Sequence, residues 1–244
     1  MLIHGFRGSL RTWAPVQAPV DRFTRVCSYS RAGLGRSEPR AHPPSRVDGA
    51  DLAVELRTLL RRSGVPGPYV PVGHSFGGAI AQLFADRYGS EVSGVVLVDP
   101  VPATFLSVPR SRLYRIAGKA RVERFLTRGA REGGTVVDIE RLGKQLLAAG
   151  GLSELPLVLV TRGLTPADST PAFEQLWTEL QRQEARLSPN AVHVIAARSG
   201  HGIQRDQPKL VIRAIRQVVT ATRLGTSLPP CPRLFLGRGA ECAP

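Results

Sequence analysis

The chain alternates short apolar runs with longer segments whose apolar side chains recur at helical spacing. Apolar runs of strand length occupy residues 1–3, 23–29, 69–72, 94–98, 155–161 and 191–196. Segments with helical periodicity occupy residues 10–13, 48–62, 79–85, 172–187 and 206–222. The run 94–98 is almost wholly apolar, as expected of a parallel strand covered on both faces. Strands that alternate with helices predict an α/β fold with a mostly parallel sheet flanked by helices.

One strand-to-helix junction carries a glycine-rich turn with a serine at its apex. Residues 73–78 have the sequence G-H-S-F-G-G, which places Ser75 within G-x-S-x-G. A serine on a strained turn crowds the positions two before and two after it, so both must be glycine or nearly so. The strain holds the Ser75 hydroxyl clear of the sheet, and the following helix offers backbone N–H groups to an oxyanion. The pattern predicts a nucleophilic serine.

Five motifs in this order resemble those of the α/β-hydrolase superfamily. They are residues 4–6 (H-G-F), 29–37 (Y-S-R-A-G-L-G-R-S), 73–78, 96–100 (V-L-V-D-P) and 200–202 (G-H-G). The resemblance spans about residues 2–218 and implies the α/β-hydrolase fold over residues 1–222. It also implies a helical lid inserted at about residues 101–150. In this family two further strands normally precede residues 1–3, so we expect that the true start lies upstream or that the protein is a fragment.

The resemblance implies a base and two oxyanion donors. The chain has five histidines. His201 follows the last strand in a glycine-flanked loop, where the family places its base. The other histidines are His4 in the loop after the first strand, His42 in a proline-rich loop, His74 beside the serine and His193 within a strand. The N–H groups of Phe6 and Phe76 are the oxyanion donors that the resemblance implies.

Two aspartates compete for the role of the acid that orients the histidine. The family usually supplies the acid from the loop after the strand at 155–161, but Pro166 stands at that position. Asp168 is the carboxylate in that loop, displaced by two residues. Asp99 ends the strand at 94–98, a place from which some members take their acid and which lies near the ligand crevice of such sheets. We favour Asp99 and keep Asp168 as the alternative.

Composition narrows the classes of partner. The net charge of +14 comes mainly from arginines spread along the chain, without a basic block or a recognition motif, so we expect no specific nucleic-acid binding. The sequence contains no window of 18 or more apolar residues, so we expect no membrane span. No signal sequence opens the chain, so we expect a cytoplasmic protein. The three scattered cysteines suggest neither a disulfide framework nor a metal site, and proline and glycine predict a disordered tail over residues 223–244.

Together these features predict a serine hydrolase that cleaves an ester or related acyl bond of a small molecule through an acyl-enzyme. No metal or organic cofactor is implied. Two departures from the family pattern favour an alternative, a catalytically impaired or non-catalytic member that binds a small molecule. Ser30 stands where the family usually has aspartate, and Pro71 lies in the strand before Ser75. A proline removes a hydrogen-bond donor from that strand.

Overall fold

The structure is a computed structural model that describes residues 1–119, 122–123, 131–235 and 239–243. A six-stranded sheet forms its centre, in the order β1-β3-β4-β7-β8-β9. These strands are β1 (Leu2–Ile3), β3 (Val72–His74), β4 (Val95–Val98), β7 (Leu157–Arg162), β8 (Ala191–Ala196) and β9 (Ala240–Cys242). All neighbouring pairs from β1 to β8 are parallel, and β9 pairs antiparallel with β8. The predicted, mostly parallel sheet is confirmed.

Helices cover both faces of this sheet. The main ones are α1 (Ala14–Asp21), α2 (Gly49–Arg62), α3 (Phe76–Arg87), α7 (Pro171–Glu184) and α9 (Pro208–Leu224), with the short helix α8 (Ile203–Asp206) just before α9. One apolar cluster joins α2 and α3 to the sheet, and a second cluster joins α1 and α9 to the other face. Asp48 begins α2 as predicted, because its side chain accepts from the Asp51 N–H while the Asp51 side chain accepts from the Asp48 N–H.

The predicted strand at residues 23–29 is wrong as a full strand. Ser28 forms a single bridge to Leu2, and the Leu2 N–H donates to the Cys27 carbonyl at 2.8 Å. Because β1 has only two residues, its ladder with this segment is correspondingly short.

The two departures from the family pattern fit the fold locally. Pro71 lies just before β3, where a missing donor is tolerated, and its carbonyl still accepts from the Val96 N–H at 2.9 Å. The buried Ser30 hydroxyl accepts from the Leu10 N–H at 3.1 Å. Both residues therefore keep hydrogen bonds that tie neighbouring segments together.

Residues 101–150, here called the insert, connect β4 to β7. Their described elements are α4 (Ala103–Ser107), α5 (Arg110–Ala117), β5 (Arg131–Glu132), β6 (Thr135–Val137) and α6 (Ile139–Ala148). Strands β5 and β6 form the insert hairpin, and β6 pairs with β2 (Arg46–Val47) in a second, three-stranded sheet. Residues 120–121 and 124–130 lie outside the described part. That the insert acts as a lid stays a prediction.

The prediction of a disordered tail over residues 223–244 is corrected for the residues described there. Helix α9 continues to Leu224, α10 (Cys231–Phe235) follows, and β9 adds the last strand. Leu234 and Phe235 are buried against the sheet and supply an apolar anchor that the proline and glycine content conceals. Cys231 and Cys242 form one disulfide, which the scattered cysteines did not suggest, because β9 returns the chain to α10. Residues 236–238 and 244 lie outside the described part.

Among the helices of the described residues, none combines the length and the apolarity that a membrane crossing needs.

Candidate active site

Ser75 occupies a strained turn between β3 and α3. Its backbone has φ +54° and ψ −121°, a conformation that a non-glycine residue adopts at a cost of about 1–3 kcal/mol. A Cβ atom on Gly73 would lie 2.3 Å from the Gly77 carbonyl oxygen, and one on Gly77 would lie 2.3 Å from the Ile3 carbonyl oxygen. Neither position can therefore carry a side chain. The Ser75 N–H donates to the Val98 carbonyl at 3.0 Å, which fastens the turn to β4.

His201 and Asp99 meet at the carboxyl ends of the strands. His201 lies in the loop after β8, and its Nδ1 is 2.6 Å from Oδ2 of Asp99, which follows β4. The Asp99 side chain is fully buried, whereas the His201 side chain is 46% exposed. Because a carboxylate can only accept, Nδ1 of His201 carries the proton in this bond. The Nε2 atom is thereby left as the acceptor of the ring.

Three further donors hold the Asp99 carboxylate. The Arg162 N–H and the Trp177 Nε1–H donate to Oδ1 at 3.3 and 3.4 Å, and Nη1 of Arg162 donates to Oδ2 at 3.1 Å. Burial raises the pKa of Asp99, but the hydrogen bond from His201 and the charge of Arg162 outweigh it and leave the pKa below its ordinary value. Asp99 is therefore an anion when it faces His201.

The charge of Arg162 is balanced on its other side. Nη2 of Arg162 donates to both carboxylate oxygens of Glu174 on α7, at 3.0 and 2.9 Å, and the guanidinium lies over the Trp177 ring. Arg162 therefore fixes Asp99 without leaving an uncompensated buried cation. No sequence motif pointed to this arginine, which ends β7 just before the loop where the family usually places the acid.

Asp168, the alternative acid, is exposed in the loop between β7 and α7. The structure thus brings Asp99, and not Asp168, to the ring of His201.

His74 contacts the loop that carries His201. Its Nε2 donates to the His201 carbonyl at 2.8 Å, and the two rings lie 4.6 Å apart. Burial, reinforced by the neighbouring His201, lowers the pKa of His74 to about 3, so the ring is neutral. The structure places this side chain as a support for the His201 loop. The sequence signal was only its adjacency to Ser75.

Phe6 and Phe76 lie together beside Ser75. A Cβ atom on Gly5 would lie 3.2 Å from the Ser75 Cβ, so the loop of residues 4–8 packs directly on the turn. The Phe6 and Phe76 rings meet edge to face at 5.3 Å. Within the parts of the chain that the structure describes, the main-chain N–H groups of Phe6 and Phe76 donate to no other protein group. Both amides are therefore available as donors.

A buried ion pair underlies this loop. Arg31 donates to Glu132 of β5 through Nε and, at 2.9 Å, through Nη2. The same guanidinium donates to the carbonyls of His4 and Gly5, each at 2.8 Å. Burial and the Arg31 charge lower the pKa of His4 to about 4, so His4 is neutral here. Sequence reasoning missed this pair, because its members lie 101 positions apart.

The remaining histidines lie elsewhere. His42 is exposed in the loop before β2. His193, within β8, has its Nε2 3.0 Å from the Thr161 hydroxyl, and burial lowers its pKa to about 4. Neither of them contacts Asp99 in the described structure.

Two clefts flank the fold. A cleft of about 360 Å³ within the insert has walls of α4, α5 and α6, with apolar side chains below and charged ones at the rim. Another, of about 420 Å³, lies at the amino-terminal ends of β1 and β3, the edge of the sheet opposite Ser75. No group of three or more histidine, cysteine, aspartate or glutamate side chains in the described ranges is placed to hold a metal ion.

Comparison with known proteins identifies the class to which this fold and site belong. The family model described as the alpha/beta hydrolase fold matches residues 1–204, and the chain belongs to this family. The protein YqjL of Bacillus subtilis (strain 168), named as uncharacterized, is 30% identical over 222 residues, covering 88% of this chain and 80% of its own length. An AB hydrolase superfamily protein of Gibberella zeae is 24% identical, covering 90% and 85%.

A solved structure shares the fold. A thermophilic esterase from Thermogutta terrifontis superposes with a TM-score of 0.61, covering 91% of this chain and 89% of its own, at 20% identity. At that identity the likeness concerns the fold alone. The predicted family and fold class are confirmed, and membership of this family supports a hydrolase.

Proposed function

We propose that the protein is a serine hydrolase that cleaves a carboxylic ester or related acyl bond of a small molecule. The observation that carries the proposal is the 2.6 Å hydrogen bond between His201 Nδ1 and the buried Asp99 carboxylate. It leaves Nε2 as a base at the same edge of the sheet as the strained Ser75 turn. A serine hydroxyl needs such a base to become a useful nucleophile.

The proposed reaction has two halves. Ser75 Oγ attacks the acyl carbon while His201 Nε2 takes the hydroxyl proton, and the anionic Asp99 stabilises the resulting imidazolium. The N–H groups of Phe6 and Phe76 bind the oxyanion. His201 then returns the proton to the leaving alcohol. In the second half a water molecule, deprotonated by His201, attacks the acyl-enzyme and releases the acid and the free Ser75 hydroxyl.

The hydrolysis of p-nitrophenyl esters tests the proposal. We expect release of p-nitrophenolate from acetate and longer acyl chains by the wild-type protein, and background release by Ser75→Ala. Ser199→Ala is the control for a serine in the His201 loop, since its hydroxyl donates to the Gly200 carbonyl at 2.9 Å and to the Asp206 carboxylate at 3.1 Å, and not to His201 or Asp99. A folded wild-type protein that hydrolyses none of the esters, and that binds them without turnover, would support the non-catalytic alternative.

The cellular location is open to a separate test. A cytoplasmic protein was predicted, whereas disulfides such as Cys231–Cys242 are rare where glutathione keeps thiols reduced. We therefore propose that the folded protein acts where this bond persists. Labelling of free thiols in the protein taken directly from its cells tests this. Labelling of all three cysteines indicates a reducing compartment, whereas labelling of Cys27 alone indicates an oxidising compartment.

A further inference from the structure

The peptide between Gly5 and Phe6 is held entirely from its carbonyl side. The Gly5 carbonyl oxygen accepts from Arg31 Nη2 at 2.8 Å and from the Gly8 N–H at 3.1 Å, and it lies 2.8 Å from His4 Nδ1. In a trans peptide the carbonyl and the N–H point in opposite directions. Groups that fix the Gly5 oxygen therefore also fix the direction of the Phe6 N–H, which points away from Arg31.

Arg31 also strengthens this amide as a donor. A guanidinium bound to the carbonyl draws electron density through the peptide, and hydrogen bonds in such a chain reinforce one another in a buried setting. Arg31 is only 3% exposed, so water screens its charge little. Its guanidinium carbon also lies 5.3 Å from the centre of the Phe76 ring, beside the second donor.

Glu132 of the insert hairpin keeps Arg31 in place. Its carboxylate binds the guanidinium, and its Oε2 accepts from the Arg7 N–H at 2.7 Å. Arg7 has φ +54°, so this bond holds a strained residue of the same loop. A Cβ atom on Gly133, the next residue of the hairpin, would lie 1.9 Å from the Ala32 carbonyl oxygen. The backbones of the hairpin and of the Arg31 segment are therefore in direct contact.

We propose that Arg31, held by Glu132, is a positioning residue that aims the Phe6 N–H at the oxyanion, so that the insert hairpin controls transition-state stabilisation. The inference rests on the proposed function. The insert thereby acts on the reaction by positioning the backbone of the loop that carries Phe6, separately from any contact that the insert makes with substrate. An oxyanion donor that points away from its target loses most of its effect.

Steady-state kinetics with p-nitrophenyl acetate test the proposal. We expect Arg31→Met and Glu132→Gln to lower kcat on the order of 100-fold with KM changed less than about threefold, because the donor acts in the transition state. Arg31→Lys should lose about tenfold, since an ammonium cannot span the His4 and Gly5 carbonyls as a planar fork does. Arg40→Met is the matched control, because Arg40 pairs with Glu55 and reaches Thr135 of the same hairpin without touching the loop.

A second readout does not depend on turnover. The amide resonance of Phe6 in ¹⁵N–¹H spectra should move in Arg31→Lys and Glu132→Gln and stay in place in Arg40→Met. Wild-type kcat in a folded Arg31 variant, a loss confined to KM, or an unmoved Phe6 resonance would each overturn the inference. If the wild-type protein hydrolyses no ester, the proposed function fails, while the Phe6 resonance still decides whether Arg31 positions this amide. If Arg31→Met does not fold, the kinetic and the spectroscopic measurements are both made on Arg31→Lys.

Discussion

Replacing Asp99 by asparagine separates the two candidate acids. The carboxylate is fully buried and accepts from four donors, two on each oxygen. An asparagine has one oxygen and one NH₂ group, so only one of the two pairs of donors keeps an acceptor. If the oxygen stays with Trp177, the NH₂ group faces His201 and forces the ring proton onto Nε2. The protonated Nε2 cannot then accept the hydrogen bond of the Ser75 hydroxyl. If the amide turns round, two buried N–H groups lose their acceptor, at about 1–3 kcal/mol each.

The lost charge sets the size of the effect in either orientation. A unit charge about 4 Å from the imidazolium contributes about 4 kcal/mol at an effective dielectric constant of about 20. Solvent at the half-exposed His201 reduces this value. We therefore expect Asp99→Asn to lower kcat/KM about 100- to 1,000-fold, and further if the ring takes the wrong tautomer.

The assay is the hydrolysis of p-nitrophenyl acetate, with circular dichroism to verify folding. Asp168→Asn is the control, because Asp168 is exposed and His201 is bound to Asp99. We expect Asp168→Asn to stay within about twofold of wild type, as is usual for changes away from the reacting groups. A folded Asp99→Asn variant with wild-type kcat/KM, or a large loss in Asp168→Asn alone, would show that Asp99 is not the acid that orients His201.

Three further predictions follow from buried contacts. His74→Phe should lower kcat/KM about tenfold because the His201 loop loses its donor, whereas His74→Gln, which can replace Nε2, should stay near wild type in the same ester assay. Burial raises the pKa of Glu184 to about 7 from 4.5, so the folded state holds its proton where the unfolded state releases it, and the contribution of Glu184 to the free energy of unfolding falls as pH rises from about 4.5 to 7. The buried histidines titrate in the opposite sense, so this contribution is read from the difference between wild type and Glu184→Gln in urea titrations. Glu184→Gln should gain about 2 kcal/mol relative to wild type between pH 4.5 and pH 8, and a difference that does not change with pH would contradict this. Cys231→Ser or Cys242→Ser should lower the free energy of unfolding by up to about 3 kcal/mol, the value expected for a separation of 11 residues. Reductant should destabilise the wild-type protein and leave either variant unchanged. Equal stabilities of the wild-type protein with and without reductant would contradict this.

The part of the fold that follows from local pattern could be predicted. The apolar run at 94–98 and the G-x-S-x-G turn depend on neighbouring residues, and both lie where the sequence placed them. Asp99 could be favoured because a carboxylate at a strand end faces the ligand crevice of a parallel sheet. These features depend on neighbouring residues, so they can be predicted from the sequence wherever no distant contact changes the local structure.

The contacts that tune the site could not be predicted, since they join residues distant in sequence. Arg162 reaches Asp99 across 63 positions, and Arg31 reaches Glu132 across 101. Either arginine would pass for a solvated side chain in a chain with 33 lysines and arginines. The tail was misjudged for a similar reason, because pairing with β8 outweighs the proline and glycine content of residues 225–239.

Activation of Ser75 is tested most directly by labelling the protein with a fluorophosphonate and locating the modified residue by mass spectrometry. We predict one covalent adduct per chain, on the Ser75 hydroxyl, formed at least about 100-fold more slowly when His201 is replaced by asparagine. An adduct on another residue, or equal labelling rates for wild type and His201→Asn, would contradict the claim that Ser75 is activated by the His201–Asp99 pair.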